Sequence, residues 1–180
     1  GEVKINKEKA EHYIRKGDAL GDALARVNLG YLLPKDSDER IIIFREMFPV
    51  ILDLAKQGDP VVENELVDLY DGSYGVEKDN EEAFYWALKS AEQGYWRSQY
   101  KIGLIYNGGY GVEKDDVKKV EWYRKSAEKG YDWGMYNVAG CYRYGWGVDK
   151  NIDEAKKWYK KAMKQNGEAA EDARKKLDEM

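Results

Sequence analysis

Glycine returns every 36 residues through the middle of this chain, at Gly58, Gly94 and Gly130. A fixed period of that length constrains the fold more than any other feature, because one repeat of it is one supersecondary unit. Further columns keep the same step. They are Ala55, Ala91 and Ala127; Tyr70, Tyr106 and Tyr142; Gly75-Val76, Gly111-Val112 and Gly147-Val148; Tyr74, Tyr110 and Trp146; and Trp86, Trp122 and Trp158. Independent columns in one register exclude coincidence. The N-terminal part joins the frame with one residue added: Gly21 lies 37 before Gly58, and Ala10 and Tyr13 lie 73 before Ala83 and Trp86.

Each unit reads as two helices. In the first, Trp96 to Asn107, Ser98, Ile102, Ile105 and Tyr106 fall at three- and four-residue steps, the spacing of one helical face. A glycine-rich turn follows at Asn107-Gly108-Gly109-Tyr110-Gly111. The second helix opens at a polar cap, where Asp79 with Glu82 and Asn151 with Glu154 have capping-box spacing. It carries Ala83, Trp86, Ala87 and Ala91 on one face and ends before Gly94, which suits a left-handed position after the helix. Ala25, Ser98 and Gly134 share one column of small residues, where the two helices are expected to approach closely. One hairpin cannot bury its apolar face alone, so the prediction is all-α: stacked hairpins forming an α-solenoid with capping ends. A single repeat domain is expected over 1–180. It comprises a degenerate part at 1–58, regular repeats at 59–94, 95–130 and 131–167, and a capping helix at 168–180.

Composition removes several functions. A net charge of −4 is a poor match for nucleic acid phosphates. No run of apolar residues is long enough to span a membrane. A lone cysteine, Cys141, makes no internal disulfide. The expectation is a soluble protein of the cytoplasm or periplasm; the chain begins at Gly1 without an initiator methionine, so a preceding signal peptide is left open.

The residues Ser98, Ile102-Gly103, Tyr106, Gly109, Gly111-Val112, Asp115, Trp122-Tyr123, Lys125, Ala127 and Gly130 resemble the pattern of the Sel-one-like repeat family, a relative of the tetratricopeptide repeat. Gly134, Val138-Ala139, Tyr142, Gly145, Gly147-Val148, Asn151, Ala155, Trp158-Tyr159, Lys161 and Ala162 repeat the match. The likeness covers residues 59 to 167; before it, Leu33-Pro34-Lys35-Asp36-Ser37-Asp38 replaces the glycine turn. The resemblance implies a right-handed superhelix that acts as a non-catalytic adaptor or scaffold, holding a protein or peptide on its concave surface. Some relatives resemble immunity proteins that neutralise a secreted toxin such as a phospholipase, which is the alternative function. The single Cys141 separates this chain from the family's cysteine-rich branch.

Candidate sites are weighed against plainer roles. The columns of Trp86, Trp122 and Trp158, and of Tyr70, Tyr106 and Tyr142, are strictly periodic, so they are expected in the core. Cys141 aligns with Leu69 and Ile105 and is expected to be a buried, inert thiol. His12 has no partner for a metal. Asp115-Asp116 is expected to cap a helix rather than hold a cation. Lys156, Lys157, Lys160, Lys161 and Lys164 read as a solvated face. No phosphate loop, nucleophile elbow or paired histidines appear, so neither an enzyme nor a cofactor is expected.

On the tetratricopeptide analogy, the first helices line the concave face. The expected partner-binding residues are Asn64, Asp68 and Asp71, then Arg97, Tyr100, Leu104 and Asn107, then Trp133, Tyr136 and Arg143. Aromatics, arginines and amides suit a protein-binding patch. The segment Ile41 to Leu54 is apolar nearly all round a helix. It serves either a thick core against residues 5 to 32 or an exposed surface for a partner or a dimer. Pro49 is expected to break or kink it.

Overall fold

The computed structural model describes residues 26, 27, 29–34, 37–72, 74, 76–165 and 167–180. Every regular element among them is a helix. His12, Ala10, Tyr13, Gly21, Ala25 and Gly75 lie outside the described residues. The chain divides into two compact units, Gly1–Asp79 and Asn80–Met180.

In the first unit, helix α1 spans Asp38–Ala55. Ser37 caps it, its hydroxyl accepting the Arg40 amide at 3.2 Å. The expected break at Pro49 does not occur, for the helix continues to Ala55. Pro49 has no N–H to give, but Pro49 and Arg45 are both on the exposed side, where losing one internal hydrogen bond is least damaging. Ile43, Phe44, Met47, Ile51 and Ala55 are buried, while Ile42 and Val50 are exposed. The helix therefore has one buried stripe rather than burial all round. Helix α2, Pro60–Leu69, begins at Asp59, whose carboxylate accepts the Val61 and Val62 amides at 2.8 and 3.3 Å. Tyr31, Phe44 and Tyr74 make a three-ring cluster with centroids 4.5 to 5.9 Å apart. The buried Arg40 lies over Tyr74 at 5.0 Å and donates to the Leu33 carbonyl at 3.0 Å.

The second unit holds α3 (Asn80–Glu92), α4 (Trp96–Gly108), α5 (Asp116–Glu128), α6 (Asp132–Tyr144), α7 (Ile152–Met163) and α8 (Glu168–Asp178), each packed on the next. Asp115 caps α5 through the Lys118 amide at 2.9 Å, and Asn151 caps α7 through the Glu154 amide at 3.0 Å. Gly94, after α3, has φ +87°, the left-handed conformation expected of it. The small-residue column does bring helices together, but it joins each first helix to the second helix of the preceding repeat rather than to its own hairpin partner. The Ser98 and Ser90 hydroxyls are hydrogen-bonded at 2.6 Å, and a Cβ on Gly134 would lie 2.9 Å from the Ala127 nitrogen. Within the α4–α5 hairpin, the Ser126 hydroxyl donates to the Trp96 carbonyl at 2.8 Å. The core gathers Val120, Tyr123, Ala127, Val138, Ala139, Cys141, Ala155, Tyr159 and Ala162.

The tryptophan column departs from expectation. Trp86 is buried, but Trp122 and Trp158 are only half-buried, and the rings that enter the core are those of the following residues, Tyr123 and Tyr159. One residue along a helix is a rotation of about 100°, and the repeat period alone does not say which of two adjacent aromatics turns inward. Where the following residue is the small Ala87, Trp86 goes in. Each indole is covered by a lysine three positions on: Lys89 at 4.8 Å, Lys125 at 3.6 Å and Lys161 at 3.9 Å from the ring centroids. The tyrosine column also flanks the core, Tyr70, Tyr106 and Tyr142 being half-buried.

The Gly-Val turn has a second reason besides its curvature. Gly111 and Gly147 have φ of +73° and +69°. A Cβ on Gly111 would run into the Asn80 carbonyl, and one on Gly147 into the Asp116 carbonyl. Each turn therefore presses its bare backbone onto the first residue of the preceding repeat's second helix. Gly147→Ala adds both left-handed strain and a clash, and should lower stability by about 2 kcal/mol. Gly140→Ala, a helical position where a Cβ meets only the Tyr159 hydroxyl at 3.9 Å, should instead raise stability by about 0.5–1 kcal/mol. Urea denaturation followed by circular dichroism checks the opposite signs.

Candidate functional site

A cavity of about 260 Å³ opens in the second unit among α4, α6 and α8. Helix α4 contributes Leu104 and Asn107; α6 contributes Tyr136, Asn137, Gly140 and Tyr144; the following turn contributes Trp146, and α8 contributes Lys176. Behind them, buried Lys119, Tyr123, Cys141 and Tyr159 complete the lining. The hollow exists because of one missing side chain. Gly140 stands where the preceding repeat has Leu104.

Polar contacts hold the walls. The Asn137 amide donates to the Trp133 carbonyl at 2.9 Å. Lys119 is ion-paired with Asp116 and lies 5.3 Å from the Trp146 ring centroid. Tyr144 and Trp146 stack at 4.7 Å, each about half exposed. Arg143 donates two hydrogen bonds of 3.3 Å to Glu179, which also accepts from Lys176 at 3.0 Å. The hydrogen bond from Lys176, and then those from Arg143, hold the Glu179 carboxyl below its ordinary range. Burial pushes Tyr159 up to about 12 and Tyr123 far above the usual phenol value. Neither supplies a phenolate at neutral pH.

The expected partner-binding residues are distributed unevenly. Leu104, Asn107 and Tyr136 line the cavity, and Arg143 stands beside it through Glu179 and Tyr159. Trp133 meets Tyr136 edge-on at 5.5 Å. Arg97 lies over Trp96 at 4.6 Å, Trp96 packs at a tilt against Tyr131 at 4.5 Å, and Tyr100 meets Tyr131 at 5.0 Å. Tyr100 is thus shared between packing and surface, and burial raises its pKa. In the first unit, Asp71 is exposed and Asp68 half-buried. Asn64 is only 1% exposed, so its side chain offers no surface to a partner; its position in α2 turns it inward rather than to solvent.

Sequence reasoning missed Lys119, Asn137, Gly140, Tyr144, Trp146 and Lys176. Gly140 carried a signal, since it shares a register position with Asp68 and Leu104 and has no side chain where both of them do. Trp146 was masked by its own periodicity with Tyr74 and Tyr110. Lys176 lies in a helix without a repeat equivalent. The remaining candidates take the plainer roles. Asp115 caps α5, and Lys157, Lys160, Lys161 and Lys164 are exposed. Among the described residues no helix is long and apolar enough to cross a membrane, and no cluster of three His, Cys, Asp or Glu could hold a metal ion. A second hollow, of about 450 Å³, lies against the other side of α5, where Val117, Val120 and Val148 are ringed by Glu121, Arg124, Lys125 and Glu128.

Comparison with known proteins gives one family. The Sel1 repeat model matches residues 69–95, 96–131 and 134–167, more than half of the chain. A Sel1 repeat protein from Oxalobacter formigenes superposes with a TM-score of 0.65 at 35% identity, over 69% of this chain and 51% of that one. A protective antigen of uropathogenic Escherichia coli displaying an SLR fold has a TM-score of 0.65 at 30% identity, over 89% of this chain and 33% of that one. The chain therefore spans about half of the first relative and a third of the second. Cysteine rich protein B of Helicobacter pylori shares the fold at 19% identity and a TM-score of 0.57, covering 76% of this chain and 97% of that one. No curated protein matches.

Cys141 is 2% exposed, and burial lifts its thiol to about 11. The folded protein should resist labelling by a disulfide reagent at pH 8 over minutes, and should react fully and at once in 8 M urea. Rapid labelling of the folded form would contradict this burial.

Proposed function

The chain belongs to the Sel1-repeat family, and on that premise we propose that it is an adaptor whose partner protein or peptide seats in the groove formed by α4, α6 and α8. Sel1 repeats generally mediate protein–protein interaction, and the fold is typically a non-catalytic scaffold. One observation carries the assignment to this groove. Most of its wall positions differ between repeats, Tyr136 with its equivalent Tyr100 excepted, while the tyrosines behind them agree. Leu104 faces Gly140 in the register, Asn107 faces Arg143 and Lys101 faces Asn137, whereas Tyr123 and Tyr159 are identical. Positions released from the packing register are those free to encode a partner. Arg97 and Trp133 extend the same surface with an arginine and an indole, residue types enriched at binding hot spots.

Affinity capture from the source cell, repeated with the triple variant Arg97→Ala, Trp133→Ala and Arg143→Ala, tests the proposal. The expected result is loss of the captured partner by at least tenfold with the helical circular dichroism unchanged. Undiminished capture by a folded variant overturns it.

A further inference from the structure

The hollow at Gly140 specifies what kind of segment the groove takes, an inference that rests on the binding role proposed above. We propose that it is the anchor for a peptide carrying one large apolar side chain, aromatic or leucine-like, beside an acidic residue. Size argues for a side chain. The cavity of about 260 Å³ falls below the ~300–1,000 Å³ usual for small-molecule sites, yet exceeds the roughly 150 Å³ that accommodates a benzene ring. Its walls agree. Tyr136, Tyr144 and Trp146 give it an aromatic lining, and Gly140 adds no side chain to it.

Charge argues for the acidic neighbour. Two lysines, Lys119 and Lys176, line the cavity, and among the described residues no carboxylate does. Arg143 adds a third cation at its edge, its side chain 17% exposed. Each cation is balanced by a carboxylate farther out in solvent, Asp116 at 58% exposure and Glu179 at 49%. Glu179 holds Arg143 only by two 3.3 Å contacts, and exposed pairs of this kind are weak. A partner's carboxylate can take the place of Glu179 on Arg143 and Lys176 while the adjacent apolar side chain fills the hollow. The rim asparagine Asn107 is exposed and has both a donor and an acceptor for the main chain of that segment.

Panning a random 12-residue peptide library against the full chain tests this inference. The expected outcome is enrichment of peptides with Asp or Glu within two residues of Phe, Tyr, Trp or Leu. Their affinity should fall at least tenfold on Gly140→Met, which fills the hollow, and on Arg143→Glu. It should stay within threefold on Gly140→Ala, and lysine in place of the peptide's acid should restore binding to Arg143→Glu. A library that enriches no acidic–apolar pair, or binders indifferent to Gly140→Met, overturns the anchor. If such binders are still lost on Arg97→Ala with Trp133→Ala, the groove assignment stands without the hollow. If they ignore those changes too, both fall.

Discussion

The contact on which the second unit depends is backbone against backbone. The Gly111 turn rests on the Asn80 carbonyl and the Gly147 turn on the Asp116 carbonyl, so the starts of α3 and α5 each seat the next repeat's loop. This contact sets the separation of successive hairpins to a value that no side chain adjusts. Everything above it follows. Trp96 can pack against Tyr131 of the next hairpin, because the hairpins are held at that spacing. The aromatic ladder and the shared groove walls are consequences of a seat that admits only glycine.

A stack built this way separates two tasks along each helix. On α6, Gly134, Val138, Ala139 and Cys141 face the interior, and substitutions there change packing. Tyr136, Asn137, Gly140 and Tyr144 of the same helix face the cavity. The rigid side supports the variable side, so groove residues are held by a scaffold that does not depend on their identity. Asn137 illustrates the arrangement, its amide tied to the carbonyl of Trp133 one turn earlier on the same helix.

Much of this was legible in the sequence, for identifiable reasons. The turns, the caps at Asp115 and Asn151, and the close approach at Ser98 and Gly134 each rest on a residue type with a specific local task, so a repeated column announces them. What escaped depends on rotation or on emptiness. The period places Trp122 and Tyr123 together, but only the helix's rotation sends the tyrosine inward and leaves the indole half-buried. Gly140 resembles one more helix glycine until the neighbours it fails to touch are known. At Pro49 the expected break did not come, because the proline and the Arg45 carbonyl it leaves unpaired lie on the exposed side of the helix. Asn64 misled because analogy assigned the inward face of α2 to a groove and the fold gave it to the core.

The lysine-covered indoles have an optical consequence. Trp86, Trp122 and Trp158 each lie on a second helix beneath an ammonium, Trp86 buried and the other two half-buried, whereas Trp146 lines the groove and Trp133 adjoins it. The chain's intrinsic emission thus divides into a background from the three lysine-covered indoles and from Trp96 against Tyr131, and a responsive fraction from Trp133 and Trp146. Occupancy of the groove would register as a change in a minority of the signal, with the rest acting as a built-in reference for concentration and folding.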